Sequence, residues 1–412
     1  MTKLFRQVIR KATIWMFVSG GVFLSPQLAM GAEWSVVPSI QMEEEYEDNI
    51  YLTTEAHDTV WGSAVSPSVQ LVHTAPTSVT EVSARLRFNR YSGDNVRNTD
   101  VQYLTFSSRN RMPRGMWALK GSFARDTTLT TLVEAQSDTA DEEKLADTEN
   151  IDEGLVQVEV RRNRLDLDPS WSKNLTERMT LRLGYSLRDV YYSAAEGTSL
   201  YDYQRHSLDV ALMRQVTERD RLGITAQYSE YRAPEVNSEA GTFSLMASMD
   251  HAFSETLRSI MAVGMQNTSS MSGALENEAT GYTFDVGITK KINQSTNYRL
   301  ALKRDVQPSG AGQVIQSDRF NIHFSSKITS KLTFLLSGKF FRNKSLEASA
   351  TNVDRRYYSI EPGLRRLLTR KWSVDGYYRY RYQKYDNVAA SAQSNAVFLG
   401  VSYTWPLIRV SR

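Results

Sequence analysis

The chain of 412 residues has no cysteine, few prolines and only five histidines, and each scarcity removes a class of protein. Without cysteine there is no disulfide framework, so an exported chain of this kind is held by backbone pairing and packing. His57, His73, His206, His251 and His323 are scattered without metal-ligand spacing. His206 and Ser207 are neighbours, so on a strand they point to opposite faces and do not make a nucleophile–base pair. No G-x-S-x-G, phosphate-loop or D-x-D-x-D-G pattern occurs. The sequence therefore predicts no catalytic, cofactor or metal site. Beyond residue 31 no apolar run approaches the ~18 residues of a spanning helix. No Pro/Gly/Ser-rich linker divides the chain, which reads as one domain over 32–412.

Residues 1–31 are different. Lys3, Arg6, Arg10 and Lys11 precede an apolar run from Ala12 to Leu24, and Ala29-Met30-Gly31 follows as a small-residue exit. That order reads as a secretory signal peptide. Its four basic residues outweigh the formal net charge of +3, leaving about −1 on the mature chain. Charge therefore gives no reason to expect a nucleic-acid partner.

What the sequence holds in abundance is a returning turn. Leu175 precedes "TERM", Val216 precedes "TERD", Phe253 precedes "SETL", Ile292 precedes "NQST", Ile328 precedes "TSKL" and Leu368 precedes "TRKW". The intervals are 41, 37, 39, 36 and 40 residues, one structural unit per period. The flanks alternate with period two. Met179, Leu181, Leu183, Tyr185 and Leu187 oppose Thr180, Arg182, Gly184, Ser186 and Arg188. Likewise Trp372, Val374, Tyr378, Tyr380 and Tyr382 oppose Ser373, Asp375, Arg379, Arg381 and Gln383. Each unit is strand, short turn, strand, longer connection. Connections such as 92–98, 194–200, 233–239, 269–278, 308–314 and 385–395 are polar and turn-rich.

Short turns on one rim and longer loops on the other predict an all-β fold, a transmembrane antiparallel up-and-down β-barrel of the Gram-negative outer membrane. A propeller would pack four short strands into each period, and a sandwich would not repeat arginine on the opposite face of so many strands. The expected count is 18 strands, from 34–52 to 395–406, or 16 if the first pair lies outside the barrel. The sixth is expected at 153–172, with a bulge at 161–164, because Val156, Val158 and Val160 are out of phase with Leu165, Leu167 and Trp171.

Pointing the apolar parity at lipid turns a basic set inward: Arg85, Arg87, Lys120, Arg182, Arg299, Lys303, Arg319, Lys327, Lys339, Arg365, Arg379 and Arg381. Inward acids are fewer: Glu159, Asp209, Asp250, Asp285, Glu361 and Asp375. A lumen with excess positive charge concentrates anions, whereas cross-strand pairing would spend the same charges internally. Tyr191, Tyr192, Tyr201, Tyr203 and Tyr377 either form interfacial girdles or line the pore and stack on sugar rings. The acidic connection 129–152 reads as an outer loop, with a lumen plug or the binding of divalent cations beside lipopolysaccharide as alternatives.

The first strands carry a resemblance. "PSIQMEEEYEDNIYLT" followed by "DTVWGSAVSPSVQL" supplies Pro38, Tyr46, Asp48, Asn49, Ile50, Leu52, Ser66 and Pro67 in a pattern similar to outer-membrane barrels associated with exopolysaccharide export and exosortase systems. The similarity continues through "LDPSWSKNLTERMTLRLGYSLRDVYY" to "NAVFLGVSYTWP", although "PLIRVSR" follows the terminal aromatics. The resemblance implies a channel releasing an anionic polysaccharide through the outer membrane. The expected partners are outer-membrane lipid, lipopolysaccharide, the anionic polysaccharide and periplasmic export or assembly proteins. On residue types alone, Asp48 and Asn49 are turn formers at a strand end. A diffusion porin for small solutes and a plugged scaffold or receptor are the alternative functions.

Overall fold

The computed structural model describes residues 32–55, 57, 59–92, 96–128, 159–193, 197–273, 275–293, 295–346, 354–386 and 389–411. The expected signal peptide and the loop 129–152 lie outside them. The first nine strands are β1 (Glu33–Glu47), β2 (Val60–Thr74), β3 (Ser78–Tyr91), β4 (Thr99–Met112), β5 (Gly115–Thr127), β6 (Arg161–Asn174), β7 (Met179–Ser193), β8 (Tyr203–Gln215) and β9 (Asp220–Ala233). Then come β10 (Ser238–Ala252), β11 (Leu257–Ser272), β12 (Leu275–Lys291), β13 (Thr296–Pro308), β14 (Val314–Lys327), β15 (Leu332–Ser345), β16 (Arg355–Leu367), β17 (Trp372–Tyr385) and β18 (Ser391–Thr404). A four-residue strand, β19 (Ile408–Ser411), resumes the direction of β18.

Each of β1 to β18 pairs antiparallel with its sequence neighbours. The sheet closes because β1 pairs β2 on one side and β18 on the other, from Ser39↔Thr404 to Glu47↔Ala396. β19 completes the far end of that seam at Glu33–Val36. The barrel therefore has eighteen spanning strands and includes the first pair. Apart from the loop-rim ends of β12 and β13, closure leaves no free edge, which is what lets a sheet cross lipid with its backbone groups satisfied.

The repeated turn has one physical cause in all six copies. The residue after the apolar position offers a side-chain oxygen to backbone N–H groups two or three residues on. Thr176 accepts from Arg178 N (3.3 Å), Thr217 from Asp220 N (3.0 Å) and Ser254 from Leu257 N (3.1 Å). Asn293 accepts from Ser295 N (2.8 Å), Thr329 from Leu332 N (3.0 Å) and Thr369 from Trp372 N (3.1 Å). Such self-capping satisfies amide groups that the ladder cannot reach, so Ser, Thr and Asn recur there.

Several sequence expectations are corrected. β5 and β6 keep one unbroken register from Gly115↔Lys173 to Thr127↔Arg161, so no bulge occurs at 161–164. Val160 breaks the apolar phase because it faces inward, into an apolar cluster at the loop rim. β6 begins at Arg161, and 151–158 lie outside the described residues. β1 ends at Glu47, and the following residues leave the ladder as a turn. The last strand is 391–404, interrupted by Trp405–Leu407 before β19. Connections 233–239 and 269–278 are short: a single 3₁₀ turn at Pro234–Val236 ends on Asn237 at φ 49°, and Gly273 at φ 61° turns β11 into β12. Asn and Gly tolerate that left-handed backbone, so the strands run further than polar composition implied.

One seam is incomplete. β12 pairs β11 as far as Leu275, and β13 pairs β14 as far as Pro308, but β12 and β13 pair only up to Phe284↔Arg304. The tip of the β13–β14 hairpin meets the β7–β8 connection and the end of β9 instead. Tyr201 N donates to Gly310 O (2.7 Å), and the Tyr231 hydroxyl donates to Ser309 O (3.3 Å). Gly310 is needed there, since a Cβ would stand 2.4 Å from the Tyr192 hydroxyl oxygen.

The outward face carries the apolar residues, among them Leu183, Leu208, Ile224, Phe243, Met265 and Leu399, all exposed in the isolated chain. Trp34, Trp117, Trp171, Trp372 and Trp405 stand near the turn rim, and Tyr46, Trp61, Tyr358 and Tyr382 near the loop rim. An apolar belt of this extent is stable only against lipid, and flanking aromatic girdles mark its two interfaces.

Candidate functional site: the lumen and its filled outer end

The inward face divides into two zones. Toward the turn rim a cavity of about 2250 Å³ lies against β2 to β13. Its wall carries twelve Arg or Lys and seven Asp or Glu side chains, a clear positive excess. Arg85, Lys120, Arg182, Arg299 and Lys303 of the predicted set line it. Arg85 lies over the Tyr103 ring at 4.8 Å, Lys120 faces Asp168 across the ladder, and Lys303 is 3.2 Å from Asp305. Arg182 has no ion pair among the described residues.

Toward the loop rim the interior is packed. One cluster joins Val160, Val190, Tyr192, Leu200, Tyr203, Tyr231, Val306 and Val314. Tyr203 and Tyr231 thus sit in an inward apolar plug, with ring centroids 5.6 Å apart, rather than in a girdle. Tyr192 is buried with them, and Tyr191 alone of the neighbouring pair points outward. Tyr201 lies in the connection that meets the β13–β14 tip, and Tyr377 packs on Phe398 at 4.5 Å and donates to Glu43 (3.0 Å).

Across the closing seam the packing is ionic. Glu43, Glu45 and Glu47 all face inward from β1, alternating with outward Met42, Glu44 and Tyr46. Arg87 donates to Glu43 (2.8 Å), Arg379 donates to Glu47 (3.1 Å), and Arg381 and Ser394 also donate to Glu47. All of these side chains are buried. Both carboxyl oxygens of Glu45 are buried without a hydrogen-bond donor among the described residues. A second buried pair, Arg162 to Asp126 (2.8 Å), joins β6 to β5.

This relocates three predicted residues. Arg87, Arg379 and Arg381 point inward as expected, but each is bound to a carboxylate; Arg381 spends Nη2 on Glu47 and leaves Nε and Nη1 without an acceptor among the described residues. Arg319 is bound to Asp305 (2.7 Å), and Arg365 lies 3.8 Å from Asp375. Lys339 is inward and half-buried, and Lys327 is exposed at the turn rim. The predicted acids are also inward: Asp285 lines the cavity, Asp250 binds Arg258, Asp209 lies beside Gly184, and Glu361 is buried. Glu159 precedes β6 at the loop rim. Sequence reasoning missed Glu43, Glu45, Glu47, Asp126, Asp166 and Asp305. For the first three the signal was present, because "MEEEYE" alternates and its odd positions oppose Met42 and Tyr46.

The segment after β1 explains "YEDNIYL". Asp48 accepts from the amide and side chain of Asn395 (2.7 and 2.8 Å). Asn49 accepts from Thr53 N (3.0 Å) and donates to Thr53 O and Gln393 O (both 2.9 Å). Ile50 packs with Val60 and Val96, and Leu52 packs with Phe341, Tyr357 and Ala392. The stretch is a turn, as its residue types implied, and it is folded into the interior.

A closed antiparallel barrel with an outward apolar belt, two aromatic girdles and a polar, charged interior is an outer-membrane barrel, and this chain is one. No protein-family model and no curated protein sequence matches it. Among solved structures it is similar to OccAB3 of Acinetobacter baumannii, at 9% identity over 91% of this chain and 99% of that one, with a TM-score of 0.46. The FrpB iron transporter of Neisseria meningitidis (F5-1 variant, apoprotein form) gives 7% identity, 92% and 82% coverage and 0.47. The outer membrane protein opdK of Pseudomonas aeruginosa gives 9%, 90% and 99%, and 0.45. Likeness at this level concerns the barrel and says nothing about cargo.

Proposed function

We propose that the protein is a non-catalytic outer-membrane channel for an extended anionic polymer, an acidic polysaccharide. The observation that carries this reading is the charge of the cavity wall, twelve basic against seven acidic side chains. In a low-dielectric wall such an excess holds anions through many weak, exchangeable contacts, and transport needs binding that also releases. The similarity of the first strands to polysaccharide-export barrels supports the choice of polymer. The packed loop rim favours a channel that opens on demand over a permanently open diffusion porin. The same feature is what a plugged receptor would have, and this is the second reading. Periplasmic export proteins and lipopolysaccharide are proposed as its neighbours.

Conductance of the mature chain in a planar bilayer tests the proposal. Anion-preferring openings that acidic oligosaccharides block and neutral ones do not are the expected result. Cation preference, or equal block by neutral sugars, would overturn it.

A further inference from the structure

Leu52 is the most unusual residue at the outer end. It is fully buried, yet its backbone is left-handed at φ 54°, a region that a side chain branched beyond Cβ seldom occupies. The conformation persists because its surroundings hold it. Leu52 N donates to Asn49 O (3.2 Å), and the Asn49 side chain clamps Thr53 on both its N–H and its carbonyl. What the turn then presents is informative. The carbonyl oxygens of Asn49 and Ile50 accept from Arg381 Nη2 (3.2 and 3.0 Å), and the Leu52 side chain lies on Phe341 and Tyr357.

Those partners form a cradle. Phe341 and Tyr357 stack with centroids 4.7 Å apart and planes at 15°, and the Arg355 guanidinium lies over Phe341 at 4.8 Å. Arg381 gives Nη2 to Glu47 and Ser394 as well as to the turn, and keeps Nε and Nη1 buried with no acceptor among the described residues. An aromatic pair beside the open Nε and Nη1 of Arg381 is what a pyranose bearing a carboxylate requires: an apolar surface for the ring and donors for the carboxylate, with Arg355 held over Phe341. The turn offers a substitute for both, an apolar side chain and two carbonyl oxygens.

We propose that Phe341, Tyr357, Arg355 and Arg381 form a subsite for an acidic sugar residue and that Leu52, on segment 48–53, occupies it as a built-in competitor. The inference rests on the export reading and adds a place and a displacement step to it. The polymer enters this subsite only as the turn leaves it, so occupancy and opening of the outer end are coupled.

The test uses the full mature chain in lipid nanodiscs and planar bilayers, with a galacturonic acid trimer and a neutral trisaccharide as probes. Leu52→Asn keeps a residue tolerant of left-handed backbone while removing the apolar contact. It should bind the acidic trimer at least tenfold more tightly than wild type and open more often. Adding Tyr357→Ala should remove that binding. Because the chain has no cysteine, an Asp48→Cys, Asn395→Cys pair, at positions whose backbones are joined by the Asp48 N to Asn395 O bond (3.1 Å), pins the turn to β18 while keeping Leu52. The linked protein should bind only after reduction, which compares one folded sample with itself. Unchanged affinity in Leu52→Asn, equal binding of the neutral trisaccharide, or indifference to Tyr357→Ala would overturn the subsite. If Leu52→Asn conducts more without binding sugar, the subsite fails and the channel reading stands. If binding follows the predicted order and no variant conducts, the subsite stands and the channel reading fails.

Discussion

Replacing Glu47 by Gln removes one negative charge that serves two fully buried arginines, and the structure sets the size of the effect. Arg379 and Arg381 both donate to this carboxylate, and all three side chains are at most 2% exposed. At an effective dielectric of 20, opposite charges 4 Å apart attract by about 4 kcal/mol, so the two pairs give about 8 kcal/mol gross. Against that stands the hydration that Glu47 loses on burial, several kcal/mol, which Gln does not lose. A net loss of about 3–5 kcal/mol is expected, the range for removing one partner of a buried pair. Urea unfolding in lipid vesicles measures it through tryptophan fluorescence, since Trp34, Trp61, Trp117, Trp171, Trp372 and Trp405 report on the lipid-facing surface. A companion variant with Glu47→Leu, Arg379→Met and Arg381→Met should recover most of the loss, because uncompensated charge and not lost volume is what destabilises. A Glu47→Gln loss below about 1 kcal/mol, typical of an exposed pair, would refute the claim that buried charge holds the outer end.

Four further outcomes follow from the same contacts. Arg182→Ser should lower the anion-to-cation permeability ratio, read from the reversal potential, and an unmoved potential would mean that this side chain does not face the permeating ion. Gly264→Ala should cost about 1–3 kcal/mol in vesicle unfolding, because a Cβ there would stand 2.1 Å from the Leu245 carbonyl oxygen, a backbone atom unable to turn aside. Thr217→Ala removes the acceptor of two turn amides (3.0 and 3.1 Å) and should cost about 0.5–1.5 kcal/mol, and a neutral result would deny the turn its side-chain cap. Arg90→Ala breaks a pair whose side chains are more than half exposed, so a change above about 1 kcal/mol would contradict its assignment as a solvated contact.

Strand parity was legible because two environments, lipid and an aqueous or polar interior, act on alternate residues. The pattern at Met179–Leu187 and Trp372–Gln383 survives in the structure without a slip. Partners were not legible, because pairing depends on neighbours that sequence does not align. Arg381 meets Glu47 only when the barrel closes, and a list of inward arginines therefore counted as available several that are already bound. Val160 misled for a related reason. Its inward neighbours are apolar, so the rule of apolar outside and polar inside fails locally where the interior is packed rather than wet. The tip of the β13–β14 hairpin, too, departs from β12 for contacts with distant connections that no local pattern announces.

The seam between β1 and β18 has a consequence for the order of assembly. Ser394 and Glu47, joined by a hydrogen bond, are 347 residues apart in the chain. Bringing such distant ends together carries a logarithmic loop entropy of about 5 kcal/mol, whereas the pairs from β1–β2 to β17–β18 follow one another directly along the chain. Hairpins can therefore form and zip in sequence, with the first and last strands meeting at the end. The contacts of Glu47 with Arg379, Arg381 and Ser394 and of Glu43 with Tyr377 form only at that meeting, so they work as a clasp fastened by the final step. Until then Glu47 and its partners remain in water, where each is stable alone. A cysteine placed at Ser394 and pulse-labelled during refolding should be the last position to gain protection; protection ahead of the β7–β8 hairpin would reverse this order.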